Sequence, residues 1–342
     1  LRYGAVLVGA LTVGYISSLP GFIAYYDSTA TKSNTLTKES QEIVKQLKGD
    51  LKITTYVNYL DDTYEKGAPR NRIYDIRKFE RYLRFKPEME MEYVYYYAPG
   101  YLPYAPASYD TMSMEEILAT KCKYAGYDPK RFLPLDEVVK MDDISEEDGR
   151  FVRVISAANG KKAILRIYKD SDVDPYEGQI TTALKRLLMK APVVGFVTGH
   201  KERSCEDFGE KGYGAFATDK TFRYSLVNNG FDVREITLQE PVPADIDVIV
   251  LADMRSELTA EEDRHFQEYL ERGGNMFILG EPKRQHLMNP VLAHLGLSFE
   301  DGIIVEPSKT KDDDIIAATI TTDALKVSEG FDSFIKRRFT IT

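Results

Sequence analysis

The stretch "TGHKERSC", residues 198–205, places a histidine, a carboxylate and a thiol within six positions. His200 and Cys205 are the residue types of a cysteine nucleophile activated by a general base. His200 and Glu202 form H-x-E, the start of the zinc deaminase signature. Neither motif is completed. The deaminase pattern requires a following P-C-x-x-C, which the sequence does not contain. A nucleophilic cysteine on an α/β sheet sits on a sharp strand-to-helix turn, whereas Cys205 lies eight residues past Val197 in a polar loop. No H-E-x-x-H, G-x-S-x-G or Walker lysine loop occurs anywhere, and "GEKGYG" at 209–214 lacks dinucleotide spacing. The plainer reading of these residues is a solvated loop capping a helix. An amidotransferase-like or hydrolytic enzyme using Cys205 and His200 is the rival.

The elements around this stretch decide where it sits. "PVVGFVTG" is a near-continuous apolar run, as expected of a strand covered on both faces. After it come a helix near 214–229, the strands "DVREITL" and "DIDVIVLAD", a helix from Thr259 to Gly273, and the strand "NMFILGEP". Thr259 with Glu262 reads as a capping box, closed by Gly273-Gly274. Such alternation predicts a doubly wound parallel sheet over 191–342. Ligands of open sheets bind beyond the carboxyl ends of the strands. Three segments share that edge: 198–205, 252–258 and 280–286. They make His200, Glu202, Asp253 and Glu281 the candidate partner or ligand edge. Further strands are expected in "LSFEDGIIVEP" and "IIAATITTDAL".

Residues 27–190 predict a first domain. Thr37 caps a helix, and "LKITTYVNYL" (51–60) and "MEMEYVYYY" (89–97) read as strands around an amphipathic helix over 71–85. After a Tyr-rich insertion, about 98–149 with a helix over 113–126, comes a hairpin about Asn159-Gly160, then a helix over 175–190. The order β, α, β, α, β-hairpin, α resembles a thioredoxin-like fold. The redox C-x-x-C is missing from the loop after the first strand, which reads "NYLDDTYEKGAPR".

The first 26 residues raise a membrane question. From Tyr3 to Tyr26 there is no charged residue, 24 positions against the ~20 a spanning helix needs. Ala5 with Gly9 and Ala10 with Gly14 repeat a small-xxx-small spacing, and Tyr25 and Tyr26 suit an interfacial belt. A transmembrane helix over 1–26 is the expectation. The chain starts without Met and stops at "RRFTIT", which reads as a segment of a longer polypeptide.

Composition bounds the partners. A net charge of -9 argues against a nucleic-acid binder, which needs a basic face, and leaves only local basic patches such as Lys336-Arg337-Arg338. Cys122 and Cys205, the two cysteines, make neither a disulfide framework nor a zinc site. No metal or cofactor is expected. Seven of the 23 tyrosines fall within 93–109. Packing of a strand and its loop is the first reading of that cluster, and a groove for a cell-envelope glycan the second.

Taken together, "VVGFVTGHKE" (193–202), "GFDVREITLQEPVPADIDVIVLADMRSELTAEE" (230–262) and "YLERGGNMFILGEP" (269–282) resemble the auxiliary component of ABC-type transport systems of the gliding-motility class. The first domain agrees in its apolar run, in "DSTATKSNTLTKESQEIVKQLKGDLKITTYV" and in "ITTALKRLL". The resemblance implies a membrane helix, an extracytoplasmic α/β region and a closing membrane helix, in some members fused to a multi-span permease. A fragment of such a member would read like this chain. The second domain would be similar in fold to class I glutamine amidotransferases with the nucleophile missing. The implied protein is non-catalytic, sits at the inner membrane with its soluble domains on the periplasmic side, and partners a permease and an ATPase subunit, with a cell-envelope polymer as a further partner.

Overall fold

The computed structural model describes residues 2–19, 25–30, 32–100, 102, 105–338 and 340–341. The chain forms two compact units, Leu1–Val194 with Ser204–Arg234, and Gly195–Arg203 with Glu235–Thr342.

The first unit begins with α1 (Arg2–Ser18), which buries none of its residues. The single helix expected over 1–26 is shortened. Seventeen residues rise about 25 Å, less than the ~30 Å of hydrocarbon. Among the described residues no helix is long and apolar enough to cross a membrane. The helix stops just before Pro20, whose ring disfavours helical backbone at the preceding residue. Residues 20–24 of the expected span lie outside the described residues.

Next come α2 (Lys38–Gln46), capped by Thr37, and β1 (Leu51–Asn58). The helix expected over 71–85 is two: α3 (Arg72–Lys78) and α4 (Glu80–Phe85). Phe79 between them leaves helical backbone, at φ -95 and ψ 1, and is fully buried. Packing of this ring outweighs helix continuity. β2 (Met89–Tyr97), α5 (Met114–Ala125), β3 (Leu133–Pro134) and α6 (Leu135–Met141) follow. The hairpin of β4 (Val152–Ala157) and β5 (Lys162–Arg166) turns at Asn159-Gly160, and α7 (Glu177–Arg186) closes the set.

The five strands form one sheet in the order β3-β2-β1-β4-β5. β1 runs parallel to β2, Leu51 opposite Met89 and Asn58 opposite Tyr96, and antiparallel to β4, Tyr56 opposite Val152. Both faces are covered. On one, Ile53, Ile155 and Leu165 pack with Val44, Tyr82 and Leu184 from the helices. On the other, Tyr56, Tyr96 and Val154 pack with Val138 of α6. Val57, Tyr59 and Phe132 form a third cluster with Tyr93, Tyr95 and Tyr97 against it. Much of the tyrosine cluster therefore serves packing.

β6 (Val193–Thr198) starts the second sheet. The helix expected over 214–229 is reduced to α8 (Gly214–Ala217) and a short 3₁₀ turn at Leu226–Asn228. Side chains here take the carbonyls that a helix would use. The Asn228 amide donates to the carbonyls of Asp219, Lys220 and Phe222, and that of Asn229 to those of Arg223 and Ser225.

β7 (Asp232–Thr237), β8 (Val248–Ala252), α9 (Ala260–Glu271) and β9 (Asn275–Leu279) complete a sheet in the order β7-β6-β8-β9, with β8 and β9 parallel. Ile249, Leu251, Phe266 and Tyr269 are buried in it. α10 (Gln285–Ala293) follows. The strand expected over 297–307 does not form, and of the one expected over 315–325 only two residues become strand. Those two, β10 (Ala318–Thr319), pair with β11 (Thr340–Ile341), with α11 (Asp332–Lys336) between them. Ile303, Ile304 and Val305 are exposed and pair with no neighbouring strand. The α/β class holds in both sheets.

Candidate functional site

Strand order reverses at β6, which stands between β7 and β8 although it precedes both in the chain. Such a switch point opens a crevice at the strand ends. All four candidate residues lie there in the second unit: His200 and Glu202 after β6, Asp253 after β8 and Glu281 after β9.

They sort into two polar clusters. In the first, the His200 ring lies between two carboxylates. Its Nδ1 is 3.2 Å from Glu202 Oε1, and its Nε2 is 3.1 Å from Glu262 Oε2. The Glu202 carboxylate also accepts from the His200 amide at 2.6 Å. Glu262 is the capping-box residue of α9 and accepts from the Thr259 amide and hydroxyl, both at 2.8 Å. Burial disfavours its charge, yet the Thr259 donors and the His200 ring together hold its carboxyl below the usual range. His200 is 4% exposed.

In the second cluster, Arg203 Nε lies 2.9 Å from Asp253 Oδ2, and its terminal nitrogen pairs with Glu281. Arg284 reaches the other Glu281 oxygen at 3.1 Å. The Arg203 bond is the main reason the Glu281 carboxyl sits below its ordinary range. Backbone bonds tie the loops together, from the Arg255 amide to the His200 carbonyl at 2.9 Å and from the Asp253 amide to the Leu279 carbonyl at 3.1 Å.

The backbone along this edge is unusual. Lys201, Asp253 and Lys283, one on each strand-end loop, have φ of 61, 57 and 69, and Gly199 has φ 121. A side chain in that region costs about 1–2 kcal/mol, and such residues gather at functional sites. Arg203, Glu262 and Arg284 escaped the sequence reading as members of this edge. The capping box marked Glu262 only as a helix start, and a basic residue next to an acidic candidate was the sole signal for Arg203.

Chemically, the edge offers charges fixed by ion pairs. Both ring nitrogens of His200 face carboxylates, so neither is turned to a thiol. Cys205 belongs to the first unit and is fully buried. Among the described residues no group of three or more His, Cys, Asp or Glu is arranged to hold a metal ion.

The second unit thus presents an α/β sheet with a charged edge at the strand ends of its switch point. Residues 191–311, which contain this edge, match the family model described as ABC-type uncharacterized transport system. The similarity to that transport family covers this segment, about a third of the chain. No curated protein and no solved structure matches the chain.

Proposed function

We propose that this chain is a non-catalytic accessory module of an ABC transport system of the gliding-motility type, and that it works by docking. Its apolar N-terminal segment anchors it to the inner membrane. The two α/β bodies stand on the periplasmic side beside a permease and its ATPase subunit, and a cell-envelope polymer is a further partner. The strand order of the first sheet, with β4 reversed against β1 and paired to β5, supports a thioredoxin-like fold for the first body. The switch point at β6 supports an amidotransferase-like fold for the second.

One observation carries the reading. The segment that matches the transport family is the one whose strand ends hold Arg203, Asp253, Glu281 and Arg284 in linked ion pairs. A fixed array of both signs recognises a complementary surface and favours specificity. The Cys205/His200 enzyme is disfavoured by the two carboxylates that occupy the imidazole.

The test is affinity capture of the chain from native membranes in mild detergent, with mass spectrometry of what accompanies it. Permease and ATPase subunits should co-purify, and the charge reversal Glu281→Lys should weaken their recovery. Recovery of neither subunit overturns the proposal.

A further inference from the structure

Two cavities in the first unit meet at one pair of carboxylates. The larger, about 770 Å³, is lined by Asp61 and Asp62 with Arg150 and Lys169. The smaller, about 590 Å³, shares Asp61 and Asp62 and is lined by Tyr59, Tyr64, Tyr109 and Tyr127. Each is of the size that small-molecule sites occupy, roughly 300–1,000 Å³.

The frame around them is held rigidly. Asn58, 1% exposed, ends β1. Its amide nitrogen donates to the carbonyls of Ala98 at 3.2 Å and Gly149 at 2.7 Å. Its oxygen accepts from the amides of Leu60 at 3.0 Å and Ala98 at 3.1 Å. One buried side chain thus fixes three loops that border the larger cavity. Gly149, at φ 65, allows a close approach, since a Cβ there would stand 2.4 Å from the Pro99 carbonyl. Asp148 and Val173 on the lining have φ of 52 and 38, and a β-branched residue at positive φ is a genuine outlier. Strain of this kind persists where the surroundings enforce it, often at ligand sites.

The charges of the lining cancel. Arg166 grips Glu147 with two bonds of 2.7 Å, and Arg223 takes Asp170 at 2.7 and 3.0 Å. Asp62 stands in the field of Arg150 and Lys169; partial burial and the adjoining Asp61 push its carboxyl up. Acceptors and donors lie side by side with no excess of either sign, so an ionic ligand has no field to draw it in. The tyrosine half adds flat apolar faces with hydroxyl tips. Tyr59 and Tyr64 pack edge-on at 4.5 Å as its floor. The lining comes mainly from loops and short helical turns at the strand ends. Of the edge strand β5 only its last residue, Arg166, reaches the lining, which leaves a peptide little strand edge to extend.

We propose that the joined cavities bind a neutral oligosaccharide, with Asp61, Asp62, Arg150 and Lys169 bonding its hydroxyls and Tyr109 and Tyr127 flanking its rings. The site lies within the first unit and stands apart from the docking reading, so loss of sugar binding leaves co-purification of transporter subunits untouched.

The experiment is calorimetric titration of the 342-residue chain with neutral malto-, cello- and chito-oligosaccharides of two to six units. At least one series should bind. Asp62→Asn and Arg150→Gln should each weaken it tenfold or more at unchanged circular dichroism and unfolding midpoint, and Tyr109→Ala several-fold. Arg203→Gln on the second unit should leave it unchanged. Binding by no series overturns the proposal. So does binding indifferent to both Asp62→Asn and Arg150→Gln, or displacement of the sugar by short zwitterionic peptides that bind more tightly at the same residues.

Discussion

Nε2 of His200 lies 3.1 Å from Oε2 of Glu262, 62 residues further along the chain. The same carboxylate closes the N-terminal cap of α9 through Thr259. One side chain therefore starts a helix and anchors the loop that follows β6. Glu262→Ala removes both functions and should cost about 1–3 kcal/mol, of which the cap supplies roughly 0.5–2 and the buried bond the rest. Glu262→Gln can still cap and should cost less than half as much. Urea unfolding of the two variants separates the contributions.

The same residue sets a pH dependence. Its folded-state carboxyl titrates below the ordinary value of about 4.5. A depressed carboxylate stabilises the fold above the unfolded-state value and loses that stabilisation as pH falls through the folded-state value. Stability should therefore drop as pH falls from about 4.5, and the drop should be shallower in Glu262→Gln. An equal acid slope in both proteins would refute this assignment.

Arg203 joins two strand ends by pairing with Asp253 and Glu281. Asp253 is 5% exposed, while the arginine side chain is 28% exposed. Solvent reaches the pair from one side, so Arg203→Ala should cost about 1–3 kcal/mol, less than the 3–5 of a fully buried pair. Asp253→Asn should be milder, because Asn tolerates the left-handed backbone at φ 57. A double-mutant cycle over Arg203 and Asp253 measures the coupling.

These relationships show what the sequence made legible and what it did not. Periodicity and turn chemistry placed β1, β2, the Asn159-Gly160 hairpin and the Thr259 cap, because each is written in neighbouring residues. The gathering of His200, Glu202, Asp253 and Glu281 at strand ends followed from the order of elements. What failed were choices made by distant contacts. Phe79 breaks a helix to reach the core, and the amides of Asn228 and Asn229 unwind the segment after β6. The Arg203 bridge and the larger cavity join residues far apart in the chain and left little local trace, whereas the smaller cavity takes Tyr109 from the tyrosine cluster that the sequence offered as a glycan groove.

Arg153 and Asp75 are both fully buried, 2.5 Å apart, with the guanidinium between the rings of Phe79 and Phe151 at 5.1 and 4.6 Å. Tyr93 donates to the same carboxylate at 2.8 Å. Asp75→Ala strands a buried cation and should cost about 3–5 kcal/mol. Combining Asp75→Leu with Arg153→Met removes both charges and should restore more than half of that loss. Unfolding midpoints of the single and double variants decide it, and a double variant as unstable as the single one would show that the pair is needed for more than charge balance.

The two thiols give the sharpest separation between docking and catalysis. Cys122 and Cys205 are each 0% exposed, and burial pushes the Cys122 thiol up, away from the reactive thiolate. A nucleophile must instead be accessible and easily ionised. Neither thiol should react with a disulfide reagent in the folded chain, and both should react once urea unfolds it. Cys205→Ala should cost about 1 kcal/mol through the small cavity it leaves and should leave recovery of transporter subunits unchanged. Rapid modification of Cys205 in the native chain would return the enzyme to contention, because a nucleophilic sulfur must be reachable from solvent and readily ionised.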